Sequence, residues 1–314
     1  MTATATNIKN VTFRNPDMYW DIAADLYLPE GFDESKKYPT VITAHPIGSC
    51  KEQTAGNIYA SRLAAEGFVA IAFDASFQGR SGGEPRRLED PTQRVEDFRR
   101  VVDYLVTLPY VDADRIGALG VCGGGGYVLN AGQTEKRIKA VVGVTAVNYG
   151  RMMRDTAAAQ GGPIALLNQV AAQRTAEVTG ADQLVNGMLP PTAEGAREVG
   201  DIDIIEAFDY YCTPRGESEN GSVNFDIAHG SAALGWDAFH LADVLFDQPV
   251  RVFVGDKKGA FGAYDDGHAF IEKAASTDKK ITVIPGASHY DLYDRPNGAG
   301  VALEEIVPFF TEKL

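Results

Sequence analysis

Cys122 closes the apolar run RIGALGV and is followed at once by four glycines, Gly123 to Gly126. With Gly120 and Gly124 it forms a Gly-x-nucleophile-x-Gly pattern between a strand-like stretch and a helix-like one. That is the context in which a nucleophile is presented on a sharp turn. The residues two before and two after it crowd the adjoining strand and helix and must be small, while the nucleophile itself takes strained backbone angles. Such a turn aims a thiol at the first N–H groups of a helix, whose dipole favours the thiolate. The competing reading is an inert buried cysteine in a flexible glycine loop. Gly125 and Gly126 each weaken a helix by about 1 kcal/mol relative to alanine. Either close packing or the approach of a substrate would account for that cost.

A thiol nucleophile needs a base, and the chain has five histidines: His45, His229, His240, His268 and His289. His289, in IPGASHYDLYD, follows the last strand-like run and precedes the last helical one. Loops at the C-terminal ends of parallel strands gather on one edge of a sheet, so His289 and Cys122 are expected to emerge together. The imidazole can then take the thiol proton and return it to a leaving group. For the oxyanion, the amide of Gly123 is paired with one from the loop AHPIGSC, assigned to Ile47. His45 is read as shaping that loop, and Cys50 within it as a small buried residue.

The elements that must hold these groups alternate. NVTFRN and DIAADLYLP read as an antiparallel edge pair, and PTVITAH, FVAIAFD, RIGALGV, IKAVVGVTA, PVRVFVGD and KITVIPG as buried strands. Helical spacing runs between them, for example Val95, Phe98, Val102 and Leu105 on one face of DPTQRVEDFRRVVDYLVTLP. This rhythm predicts an α/β fold, a mostly parallel sheet with helices on both faces. From residue 148 to 245 the pattern turns helical, so the core is expected at 1–147 and 246–314 with 148–245 as a helical cap insertion. Tyr210, Tyr211 and Trp236 of that insertion are candidates to line an apolar pocket.

Bulk properties exclude several functions. The 314 residues are 45% hydrophobic and 23% charged, with a formal net charge of −14 and a pI near 4.8. Such a surface repels phosphate backbones, which argues against a nucleic-acid partner. No stretch approaches the roughly 18 apolar residues of a membrane span, and MTATATNIKN does not read as a signal peptide. Cys50, Cys122 and Cys212 are too few and too scattered for a disulfide framework or a zinc site, which suits a reducing cytoplasm.

HPIG, FDASFQGRSGGEP (with Asp74, Gly79 and Ser81) and GVCGGGG, in this order and across nearly the whole chain, resemble the α/β-hydrolase superfamily. The cysteine in the elbow resembles dienelactone hydrolases, on a branch related to polyketide transferases and thiohydrolases. The resemblance implies an eight-stranded α/β-hydrolase fold and cleavage of an ester, thioester or lactone without metal or organic cofactor. It also implies a triad acid three residues past the glycine that ends PVRVFVGD. That position is Lys258, and the carboxylates at hand are Asp256, Asp265 and Asp266, of which Asp256 is nearest the strand end and is taken. A thiol ionising at about 8.5 lies within reach of a histidine, so the acid would matter less than for serine. The expected partner is a small-molecule acyl substrate, and a homodimer stays open. The alternatives are acyl transfer by the same residues, a catalytically silent protein binding a hydrophobic ligand, and redox sensing by Cys122.

Overall fold

The computed structural model describes residues 7–314. The opening residues 1–6, most of the segment read above for a signal peptide, lie outside the described part. Val- and Ile-rich runs form the strands β1 (Asn7–Phe13), β2 (Ile22–Leu28), β3 (Tyr38–Ala44), β4 (Val69–Phe73), β5 (Val111–Val121) and β6 (Ile138–Val144). After an inserted segment come β9 (Val250–Gly255) and β10 (Lys279–Ile284). Their spatial order is β1-β2-β4-β3-β5-β6-β9-β10. β2 pairs antiparallel with β1 and β4, and every other pairing is parallel. This is the expected mostly parallel, eight-stranded α/β-hydrolase sheet. The inner parallel strands are buried on both faces, which is why they read as unbroken apolar runs rather than alternating ones.

Helices cover both faces. A π-helical turn, Thr54–Ala60, continues into α1 (Ser61–Ala65), and α2 spans Pro91–Leu105. The start of α2 is written in its sequence: Asp90 caps the amides of Thr92 and Gln93 at 2.8 and 3.1 Å, with Pro91 in the first turn. α3 (Gly123–Thr134) follows β5 directly. Phe98 and Val101 of α2, with Val128 and Leu129 of α3, pack in one core layer. Leu63 of α1, with Ile306 and Phe310 of the last helix, packs in the other.

Between β6 and β9 the chain leaves the sheet. It forms α4 (Tyr149–Ala159), α5 (Pro163–Val178), β7 (Val185–Gly187), α6 (Ala193–Val199), α7 (Ile202–Tyr211), β8 (Asn224–Asp226), α8 (Ser231–Gly235) and α9 (Ala242–Leu245). The antiparallel ribbon β7–β8 was not expected, because three-residue strands carry no periodic signal. The chain ends through α10 (Ala263–Lys273), α11 (Asp291–Asp294) and, after a second π-helical turn, α12 (Val301–Lys313). Among the described residues no helix is long and apolar enough to cross a membrane.

Neighbouring strands β3, β5, β6, β9 and β10 end on one edge of the sheet. The residues that follow them are His45, Cys122, Thr145, Asp256 and the turn leading to His289.

Candidate active site

Cys122 sits between β5 and α3 with φ 56° and ψ −121°. That backbone conformation is uncommon for a residue with a side chain and marks stored strain. The turn is fixed by main-chain bonds: the Cys122 amide donates to Val144 O at 2.9 Å, and the amides of Gly126 and Val147 donate to Cys122 O. The glycine run is a packing requirement. A Cβ on Gly124 would lie 2.6 Å from the carbonyl oxygens of both Ala44 and His45, and one on Gly125 would lie 2.8 Å from Ala146. On Gly126 it would collide with Val147 O, and on Gly123 with the Ile47 side chain. Close approach of backbone, rather than of a substrate, therefore explains the helix-weakening residues.

The Cys122 thiol is 7% exposed, and burial pushes it up to about 11. The nearby Tyr293 hydroxyl and the amides of Gly123 and Ile47 pull the other way, toward the thiolate. The anticipated thiolate at a helix start is thus outweighed by desolvation, which disfavours the charged form. Two backbone N–H groups converging on the nucleophile are the arrangement expected of an oxyanion hole.

The loop carrying Ile47 is secured on several sides. His45 is fully buried; its Nδ1 donates to Pro46 O at 2.7 Å and its Nε2 accepts from the Ala75 amide at 3.1 Å. Arg94 donates to His45 O at 2.7 Å. Burial and the Arg94 guanidinium hold the ring well below the ordinary histidine range, so it stays neutral and shapes the loop. Asp74 accepts from the Lys51 amide at 2.8 Å and from the Arg80 amide at 2.9 Å, while Gln53 accepts from the Cys50 amide. Cys50 is buried, bonded to Ser218 at 3.3 Å, and pushed by burial up to about 12.

His289 is 4% exposed, and burial lowers its pKa to about 3, leaving a neutral ring. Its Nδ1 meets the Thr145 hydroxyl at 2.8 Å, and its Nε2 meets the Tyr293 hydroxyl at 3.4 Å. Tyr293 lines the same cavity as Cys122, and its hydroxyl also favours the thiolate. The sequence reading missed Tyr293, although its place four residues after His289 on a helical turn puts the two on one face. It also missed Thr145, a β-branched residue at φ 42° directly after β6. Such a backbone angle is a genuine outlier for threonine and is held here by the Thr145 amide donating to Phe253 O at 2.7 Å.

The three carboxylates considered for the acid are engaged elsewhere. Asp256 is exposed and accepts from the Gly286 amide at 2.7 Å. Asp265 pairs with Lys258 at 2.6 Å on the surface, and Asp266 is buried against Arg151 at 2.7 Å. The structure does not bring Asp256 to the imidazole: the strand-end loop directs that side chain onto the turn after β10, and His289 Nδ1 meets Thr145.

A narrow cavity of about 10 Å³ lies over the sulfur. Ile47, Phe261, Tyr290 and Tyr293 line it from the core side, and Met152, Met188 and Tyr211 from the inserted segment. Of the anticipated aromatics only Tyr211 reaches it. Tyr210 packs behind on the Tyr293 ring at 4.9 Å, and Trp236 packs on Tyr127 at 5.2 Å.

The profile of the dienelactone hydrolase family matches residues 22–185. The chain is 38% identical over 296 residues to the uncharacterized protein YcjY of Escherichia coli (strain K12), covering 93% of this chain and 94% of that one. The crystal structure of the hypothetical protein PA2218 from Pseudomonas aeruginosa superposes with a TM-score of 0.84 at 28% identity, over 100% of this chain and 96% of that one. Over a shorter stretch, 34% of this chain and 33% of the other, it is 28% identical to the thiohydrolase aneE of Aspergillus aculeatus.

Proposed function

Since the chain belongs to the dienelactone hydrolase family and has an α/β-hydrolase fold, we propose that it hydrolyses a compact, largely apolar ester, thioester or lactone through an acyl-Cys122 intermediate. The observation that carries this reading is the presentation of Cys122 on its strained turn into a cavity shared with Ile47 and Tyr293, whose hydroxyl meets His289 at 3.4 Å.

In acylation the Cys122 sulfur forms a bond to the acyl carbon as its proton passes by way of the Tyr293 hydroxyl to His289 Nε2. The carbonyl electrons move onto oxygen, where the Gly123 and Ile47 amides stabilise the negative charge, a contribution of several kcal/mol for two aligned donors. The oxyanion collapses, the bond to the leaving group breaks, and His289 returns the proton to it. Water then attacks the thioester carbonyl and gives a proton to Nε2; the carbon–sulfur bond breaks, the sulfur takes that proton back from Nε2, and the acid leaves with the Cys122 thiol and the neutral imidazole restored. Thiol and imidazole are both neutral at rest, so proton transfer accompanies attack rather than preceding it. The Met152, Met188 and Tyr211 side chains favour a small acyl group with little polarity.

The test is turnover of short-chain p-nitrophenyl esters and acyl thioesters by wild type and Cys122→Ala. Loss of at least about 10³-fold with an unchanged melting temperature is expected, within the range spanned by removal of a nucleophile. Undiminished turnover by Cys122→Ala would discard the covalent mechanism. The same assay with an added alcohol or amine separates hydrolysis from acyl transfer, since only transfer yields the new ester or amide.

A further inference from the structure

Asp203 lies on α7 in the inserted segment and is 2% exposed. Its Oδ2 accepts from the Phe261 amide at 2.8 Å, but Oδ1 is buried with no hydrogen-bond partner among the described residues. A buried acceptor left unpaired is costly and calls for a reason. The carboxylate faces a tight crevice of about 10 Å³ that Thr145 and His289 also line. Gly259 is what leaves room for it, because a Cβ there would overlap the carboxylate.

Resting on the mechanism proposed above, we infer that Asp203 is the acid of this site, a positioning residue that serves His289 through the Thr145 hydroxyl. His289 Nδ1–H donates to Thr145 Oγ1, and the threonine hydroxyl proton turns toward Asp203 when Nε2 takes up a proton. The acid is thus supplied by the inserted segment and not by the loop after β9, where Lys258 stands. Need for such a partner follows from the neutral resting pair: a thiol raised to about 11 next to an imidazole lowered to about 3 forms an ion pair only with help. Around Asp203 the charged and titratable groups are Asp201 and Glu206 on its own helix, Cys122 and Tyr290 behind it, and Lys257, Lys258 and Asp265 across the crevice. Burial, with the negative charge of Asp201 and Glu206, raises its carboxyl to about 7, so the ionised form that can serve His289 is lost as pH falls below that value.

Asp203→Asn keeps an acceptor for the Phe261 amide and removes the charge. Its kcat/KM on p-nitrophenyl esters should fall about 10²-fold at pH 8, in the range of a general acid–base contribution. The acid limb near pH 7 should vanish from the pH profile. Alkylation of Cys122 should not slow, since losing a negative charge eases thiolate formation. A role in packing alone would lower the melting temperature and leave that limb in place, which would overturn the assignment. Thr145→Val leaves the Phe261 bond intact, and should give a similar loss to which Asp203→Asn adds little; full additivity would overturn the route through threonine. If Asp203→Asn does not fold, Thr145→Val reads the same relay.

A readout independent of turnover is the NMR titration of the His289 ring nitrogens. Wild type should show a step near pH 7 that Asp203→Asn lacks; no step in wild type, or an unchanged one in the variant, would reject the proposal. Undiminished activity in Cys122→Ala would instead strike the covalent mechanism, and the titration is read in either case.

Discussion

The amide of Ile47 and the ring of His289 belong to two sides of the site that the chain secures by different means. Around Ile47 the bonds are buried and come mainly from the core, His45 to Ala75, Arg94 to His45 and Asp74 to Lys51, with Ser222 and Ser218 of the inserted segment adding bonds to Gly48 and Cys50. On the other side, the loop after β9 shows exposed charges, Asp256 on Gly286 and Lys258 on Asp265. Its amides at Ala260 and Phe261 are held by Asp201 and Asp203 of the inserted segment. In the proposed mechanism, stabilisation of the oxyanion thus rests mainly on the core, while the surroundings of the base depend on a segment that joins the fold between β6 and β9. The half built from the core can be kept while the other half is altered.

Three experiments would sharpen or break this contrast. The largest effect concerns the thiol, whose environment both halves share. With its folded pKa raised to about 11, the thiolate is scarce at neutral pH and grows as pH rises. The rate of Cys122 alkylation should climb about tenfold per pH unit from pH 7 to 10, as follows from simple titration. A plateau below pH 8 would mean a preformed thiolate–imidazolium pair and would erase the need for an acid. Next is Gly124→Ala, which drives a methyl group into the carbonyls of Ala44 and His45. We expect about 3 kcal/mol of lost stability, as for overpacked cores, measured by urea unfolding, with activity reduced about 10²-fold by a displaced donor pair. Wild-type stability would show that the elbow is less tightly determined than its contacts imply. Smallest is Asp256→Asn, which trades one exposed acceptor on Gly286 for another and should change kcat/KM by less than about twofold, as for surface positions. A loss of 10²-fold or more would return the acid to the loop after β9.

What the sequence discloses follows the same division. The elbow is legible because its demands are local: a strand, a small residue two places either side of the nucleophile, and a helix. The loop of Ile47 is nearly as legible, being the continuation of a buried strand. The parallel order of the sheet follows from the alternation of apolar runs with helical ones, and the antiparallel edge pair from their nearness in the chain. Asp203, by contrast, stands 81 positions beyond Cys122 on a helix with no motif, and its unpaired oxygen exists only once α7 is packed. Thr145 carries its information in a backbone angle, and Tyr293 in a hydroxyl direction, neither of which residue type encodes. The thiol's reluctance to ionise was misjudged for a related reason: the helix dipole is visible in sequence, whereas the burial that outweighs it is not.

Tyr211, Tyr290 and Tyr293 form edge-on contacts around the pocket, with Tyr290 and Tyr293 centroids 4.4 Å apart. Both tryptophans stand elsewhere, Trp20 on Phe77 and Trp236 on Tyr127. Occupancy of the pocket is therefore written in the near-ultraviolet spectrum of phenols and not in indole fluorescence. The acyl group that the proposed mechanism places on the sulfur can be followed by tyrosine difference absorbance without any label, and tryptophan emission serves as the internal control for global unfolding.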